Sequence, residues 1–186
     1  MRQAWLLLMV VLVAPRLAAQ TIVHPTPPLD STRAALRDAL LVLRDSLNTI
    51  DGAAARLQRD YRQASGASLL WRARAMHDAC ARSARTVQPT REAVLAASLS
   101  DPQRVKQRHE LVGAMDRLQG VLTQCEVEFA AMSRPDQAET VRGYANDRAV
   151  RLQGALRKYE QTLQGFLGAM GIRVPPLGAS PRPSNG

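Results

Sequence analysis

Apolar residues recur along this chain at alternating steps of four and three, and this spacing limits its fold more than any other feature. Residues three and four apart lie on the same face of an α-helix, so the spacing predicts long helices that pack along apolar seams, as in coiled coils. The first run predicts a helix over about residues 31–63, and its members are Leu36, Leu40, Leu43, Leu47, Ile50, Ala54, Leu57 and Tyr61.

Three further runs with this spacing follow, and each begins after a short turn sequence rich in serine, glycine or proline. These turns predict helix boundaries, because serine and aspartate cap a helix start and proline fits its first turn. Pro89 lies inside the second run, and a proline there lacks the amide donor, so we expect a kinked or broken second helix. The members of the three runs are Leu69, Ala73, Met76, Cys80 and Val87; Leu111, Met115, Leu118, Leu122, Cys125, Phe129 and Met132; and Val141, Ala145, Leu152, Ala155, Tyr159, Leu163, Phe166 and Met170.

Four helices of similar length joined by short turns predict an all-α fold, an antiparallel up-down-up-down four-helix bundle. The composition agrees, because alanine and leucine dominate and aromatic residues make up only 4% of the chain, which favours helices over strands. A three-helix bundle with a loose second arm is the structural alternative.

The N-terminus has the layout of a secretory signal peptide. One arginine precedes an apolar run over about residues 4–14, and the small residues Ala18 and Ala19 follow. The run is shorter than the roughly 20 residues that span a bilayer. We therefore expect cleavage after Ala19 or Gln20 and no transmembrane anchor afterwards; an uncleaved N-terminal anchor is the alternative.

These patterns divide the chain into four parts. We assign residues 1–20 to the signal peptide, 21–30 to a proline-rich spacer, 31–172 to the helical bundle domain and 173–186 to a disordered tail. A Schellman-type stop at Gly171 ends the last helix, and the residues after it are rich in proline, glycine and serine.

The two cysteines, Cys80 and Cys125, lie on the inner stripes of the second and third helices. Export places them in an oxidising compartment, so the simplest expectation is one structural disulfide between them. Counted from the turn that joins the two helices, their heights differ by about 6 Å, and the kink at Pro89 or a small shift in register must absorb part of that difference. Two buried free thiols are the alternative; a redox pair is disfavoured because there is no Cys-x-x-Cys spacing.

We find no catalytic, metal or cofactor motif in the sequence. His109-Glu110 begins a zinc-protease pattern, but Gly113 stands where the second histidine is required. A haem held jointly by His77 and His109 is excluded, because in the bundle the two lie at very different heights. We therefore expect no enzymatic activity, no metal and no cofactor; a haem held by a single histidine with Met76, Met115 or Met132 is the alternative.

One residue does not fit a purely structural interpretation. Trp71 falls opposite the apolar stripe of its helix, on the same face as Arg74 and Asp78. Tryptophan and arginine are enriched in protein interfaces, so Trp71, Arg74 and Asp78 form a candidate interaction face. The alternative is that the Trp71 ring folds back over the turn near Gly66.

The surplus of arginine suggests a second kind of partner. An acidic envelope polymer could bind the basic residues of the second and fourth helices, whereas nucleic acid is not expected because no aromatic side chains alternate with them. These residues are Arg82, Arg85 and Arg91, and Arg142, Arg148, Arg151 and Arg157.

These patterns favour an exported periplasmic or extracellular protein of the cell envelope, a non-enzymatic interaction or scaffold module that binds another envelope protein or itself. The alternative function is a small-ligand or haem carrier with its site in the bundle core. A core cavity lined by Met76, Met115, Phe129 and Tyr159 would favour the carrier, and a filled core would favour the interaction module.

Native mass spectrometry tests the predicted export and disulfide in one spectrum. Expressed with its own leader and recovered from the exported fraction, the protein should begin at Gln20 or Thr21, the residues after the predicted cleavage sites. It should also be about two daltons lighter than its reduced form. A chain that keeps its leader would overturn the signal-peptide prediction.

Overall fold

The protein is all-helical in the computed structural model, which describes residues 29–147 and 149–178. Within these ranges five helices pack against one another, and there is no strand. The predicted all-α class is confirmed. The helices are α1 (Leu29–Asp60), α2 (Gly66–Ala96), α3 (Pro102–Met132), α4 (Ala138–Asp147) and α5 (Ala149–Met170).

The predicted signal peptide and most of the spacer lie outside the described residues, as do residue 148 and the last part of the predicted tail, 179–186. The last two residues assigned to the spacer, Leu29 and Asp30, belong to α1. Among the residues that the structure describes, no helix is long and apolar enough to cross a membrane.

The predicted apolar stripes form a single hydrophobic core to which all five helices contribute. The stripes of α1, α2 and α3 are buried as predicted, except that Tyr61, at the end of the first, is only partly buried. In α5, Leu156 is buried in the core, whereas Ala155, the predicted member of the stripe, is only half-buried. Both residues fit the spacing between Leu152 and Tyr159, and the larger side chain occupies the core because it removes more apolar surface from water.

Hydrogen bonds join α1 and α2 at several points along their length. Near the end of α1, Arg72 donates to the Arg56 carbonyl at 2.7 Å and to the Asp60 carboxylate at 2.9 Å. Further along, the Ser46 and Ser83 hydroxyls lie 2.6 Å apart, and the Thr90 hydroxyl lies 3.3 Å from the Ala39 carbonyl oxygen. These bonds satisfy polar groups that packing removes from water.

A disulfide joins α2 to α3. Cys80 and Cys125 are bonded, with their Cα atoms 6.0 Å apart. In the turn between the two helices, Ala97 and Asp101 are extended. The Arg108 guanidinium donates to the Ala97 carbonyl at 2.8 Å, which attaches α3 to the end of α2.

The helix α2 is continuous through Pro89. The predicted break is therefore not found, while a kink of the helix axis stays a prediction. Val87 and Val94, on either side of the proline, are buried. A proline inside a helix costs about 3 kcal/mol, and burying each valine contributes about 1.5 to 3 kcal/mol, so burial on both sides offsets the lost hydrogen bond.

Side chains and backbone turns end the helices largely as the sequence predicts. Asp101 caps α3 by accepting hydrogen bonds from the amides of Gln103 at 2.7 Å and Arg104 at 3.2 Å. At the end of α5, Gly171 has a positive φ of 64°, and the Ile172 amide donates to the Leu167 carbonyl at 3.0 Å. This is the Schellman geometry that glycine adopts without strain.

Arg142 of α4 holds the end of α1. Its guanidinium donates to the carbonyl oxygens of Tyr61, Arg62 and Ala64, the last two at 3.0 and 3.1 Å, and it pairs with Glu139 at 3.1 Å. The carbonyls at the end of a helix have no partner within the helix, and a cation there also suits the helix dipole. The α1–α2 turn is thereby attached to α4.

The chain continues beyond α5 as a segment that packs on α1, residues 172–178. Ile172 and Val174 are buried, the Arg44 guanidinium donates to the Pro176 carbonyl at 3.3 Å, and the Gly178 amide donates to the Asn48 side chain at 2.9 Å. This differs from the disordered tail predicted from 173. Proline and glycine predict an end to helical structure, but they do not prevent an extended segment from packing on a neighbour.

Replacing Arg142 by alanine should lower the free energy of unfolding by about 1 to 3 kcal/mol, because three carbonyl oxygens lose a charged donor. Urea denaturation measures the change. Arg134→Ala is the matched control: Arg134 is exposed in the α3–α4 turn, so its loss should change stability by no more than about 0.5 kcal/mol. Equal effects of the two variants would contradict the assignment of Arg142 as a helix cap.

Candidate functional site

The predicted interaction face lies on the surface of α2. We call Trp71, Arg74 and Asp78 the Trp71 face. All three are exposed, and Trp71 leaves 66% of its surface open to solvent. Spacings of three and four place the three side chains on one side of the helix, so the structure brings together the residues that the sequence predicted.

The surroundings of the Trp71 face are basic. A cavity of about 60 Å³ lies between the indole and α1, lined by Ala53, Arg56, Arg72 and Ala75. The Arg72 guanidinium is held by its bonds to α1 and is only 20% exposed. Trp71 therefore lies beside the interface of α1 and α2, next to an Arg72 side chain that its bonds to α1 hold in place.

Asp78 pairs with its neighbour in the chain. Its carboxylate lies 3.0 Å from the Nδ1 atom of His77. Arg74 is left exposed next to Trp71. The face therefore presents an aromatic ring and a guanidinium, with a carboxylate at its far end.

The structure divides the basic residues proposed for an acidic polymer into two groups. Arg91 bonds to Asp116 at 2.7 Å, and Arg142 caps α1. Four others are exposed, while Arg148 lies outside the described residues. The exposed four are Arg82, Arg85, Arg151 and Arg157, and they lie on two different helices. Among the described residues, the exposed arginines proposed for this partner are therefore divided between α2 and α5.

A groove of about 650 Å³ runs between α3 and the α4–α5 region, and sequence reasoning did not predict it. We call it the α3–α5 groove. Its apolar lining includes Val121, the disulfide-bonded Cys125, Leu152 and Tyr144. The Tyr144 ring packs edge-to-face on Phe129 with ring centres 4.5 Å apart. An apolar concave surface of this volume is typical of small-ligand sites.

Charged and polar side chains border this groove. Arg117 of α3 and Arg151 of α5 are exposed, and a Cβ atom on Gly120 would meet nothing within 4 Å. Gln124 donates to the Glu128 carboxylate at 2.9 Å. A weak sequence signal for the groove exists: positions 117, 120, 121, 124 and 128 share one face of α3 that is less apolar than the core stripe.

The residues proposed to line a core cavity are packed in the core. Met76, Met115, Phe129 and Tyr159 are all buried, and the lining of the α3–α5 groove includes none of them. His109 is exposed. Within the described ranges, no three His, Cys, Asp or Glu side chains come together in a way that could hold a metal ion.

Burial raises the pKa of the Tyr159 hydroxyl, and the neighbouring Glu160 carboxylate raises it further. Both effects disfavour the phenolate, the first because a buried charge loses its hydration and the second by repulsion.

Comparisons with known proteins give no relative: no protein-family model, no curated protein and no solved structure matches the chain.

The raised pKa of Tyr159 predicts a loss of stability in alkali. Its folded pKa exceeds the unfolded value of 10.0, so its contribution is complete below about pH 10 and decreases as the pH rises toward the folded pKa. Above pH 10 this group alone should lower the free energy of unfolding by about 1.4 kcal/mol per pH unit.

Urea denaturation between pH 8 and pH 11 measures the slope. Tyr159→Phe removes the ionisable hydroxyl and keeps the ring, so its stability should decline less steeply above pH 10. If wild type and Tyr159→Phe decline in parallel, Tyr159 does not carry the effect.

Proposed function

We propose that this chain is a non-enzymatic protein-interaction module of the cell envelope, which binds another envelope protein or a second copy of itself through the Trp71 face. The observation that carries the proposal is the 66% exposure of Trp71. A tryptophan ring has a large apolar surface, and placing it in a partner's pocket removes that surface from water with little loss of side-chain entropy.

The neighbours of Trp71 support an interface better than a structural role. In the alternative interpretation, the Trp71 ring folds over the turn near Gly66. Gly66 faces α4 there, since a Cβ atom on Gly66 would lie 3.4 Å from the Cβ atom of Ala138. Arg74, one turn along the helix, is exposed. Tryptophan and arginine are the residues most enriched among those that dominate binding energy.

We propose that the scaffold is an antiparallel up-down-up-down four-helix bundle, with α4 and α5 as its fourth arm and a kink at Pro89. The order of contacts supports this arrangement. Arg72, near the start of α2, bonds to the end of α1, and Thr90, near the end of α2, reaches Ala39. From α2 to α3 the order is again reversed, since the Arg91 pair with Asp116 precedes the Cys80 pair with Cys125 along α3.

We further propose that the protein is exported and works in the periplasm or outside the cell. Two independent features support this. The first is the leader-like N-terminus, and the second is the Cys80–Cys125 disulfide, since structural disulfides persist in oxidising compartments. The packed side chains at Met76, Met115, Phe129 and Tyr159 favour the interaction module over a carrier with its site in the core.

Site-specific photo-crosslinking tests the Trp71 face. A photoreactive amino acid at position 71 should form one discrete adduct in the exported fraction, because the side chain would lie in the partner's pocket. Position 127 is the matched control: Val127 is a 60% exposed apolar residue on α3, and it should give no discrete adduct. The mass of the adduct distinguishes a second copy from another protein.

Trp71→Ala separates binding from folding. At this exposure we expect the substitution to change the free energy of unfolding by less than about 1 kcal/mol and to weaken the association by at least about tenfold, since a central aromatic contributes 2 kcal/mol or more to binding. Equal adducts at positions 71 and 127, or an association that Trp71→Ala leaves unchanged, would overturn the proposal.

A further inference from the structure

We infer that the α3–α5 groove binds a single-chain anionic amphiphile, a carboxylate with an unbranched apolar tail, independently of the Trp71 face. Two kinds of side chain line the groove. Apolar side chains line a volume typical of small-ligand sites, and the exposed Arg117 and Arg151 belong to the same lining. A ligand with a charged head and an apolar tail matches both kinds.

The charges favour an anion. Within the part of the chain that the structure describes, Arg117 and Arg151 take part in no hydrogen bond or ion pair, whereas the Glu128 carboxylate accepts from Gln124. The two guanidinium groups therefore provide donors for a carboxylate, and Arg binds that group through paired hydrogen bonds. A cationic head group would be repelled at the same position.

The apolar part favours an extended tail. Its lining on α3 extends from Arg117 to Glu128, eleven residues or about 16 Å at helical rise. Val121, Cys125 and Leu152 lie along it, and Tyr144, close to Phe129, lies toward the Glu128 end. A medium-length alkyl chain fits this length with its head group near Arg117 and Arg151.

Isothermal titration calorimetry with the oxidised full-length protein tests the inference. Decanoate, below its micelle-forming concentration, should bind at one site per chain, and decyltrimethylammonium, which has the same tail and the opposite charge, should bind at least about tenfold more weakly. From octanoate to decanoate to dodecanoate, Kd should fall by up to about fourfold for each added methylene that the groove covers.

Variants locate the site. Gly120→Leu should weaken decanoate binding more than about tenfold by filling the groove, and it should still fold, because a Cβ there meets nothing within 4 Å and leucine favours a helix. Arg117→Gln and Arg151→Gln should each raise Kd about three- to tenfold. Gly165→Leu and Arg85→Gln are matched controls at exposed positions outside the groove, and both should bind like wild type.

Three results would overturn the inference. The first is that decanoate does not bind. The second is that both amphiphiles bind equally, which indicates adsorption without recognition of charge. The third is that Gly120→Leu leaves decanoate binding unchanged, which would place the ligand elsewhere. If decanoate does not bind and Gly120→Leu instead dissociates a dimer in sedimentation analysis, the groove is an interface between copies of this chain.

Discussion

The Cys80–Cys125 disulfide is the constraint on which the arrangement of the central helices depends. It links the buried stripes of α2 and α3, so the relative height of these two helices cannot change while it is intact. In the chain-entropy model a loop of this length contributes on the order of 3 to 4 kcal/mol to stability. This contribution is a large share of the net stability of a small domain.

Around that bond, polar contacts hold the outer elements to the central helices. Arg142 binds the end of α1 from α4, and Arg44 binds the segment after α5. Both use guanidinium donors on backbone carbonyls that would otherwise lack partners, because these carbonyls lie at a helix end or in an extended segment. The arginine surplus is therefore partly structural, and net charge alone overstates the basic surface available to a ligand.

The two proposed sites differ in how they arise. The Trp71 face lies on one helix, so its residues are neighbours by helical spacing alone. The α3–α5 groove is lined by residues of three helices, among them Gly120 of α3, Tyr144 of α4 and Leu152 of α5. Because the disulfide-bonded Cys125 also lines it, a change in the register of α2 and α3 would alter its shape.

The sequence by itself determined the all-helical class, most of the helix boundaries and the buried stripes, because each depends on helical periodicity or on cap residues a few positions apart. It favoured the Cys80–Cys125 pairing through the expected compartment, and it left the exposure of Trp71 open between two interpretations. It could not determine the continuity of α2 through Pro89, the packing of residues 172–178 on α1 or the α3–α5 groove. These depend on contacts between residues far apart in the chain. Packing from several sides can outweigh a local preference by a few kcal/mol, and only the tertiary structure shows where it does.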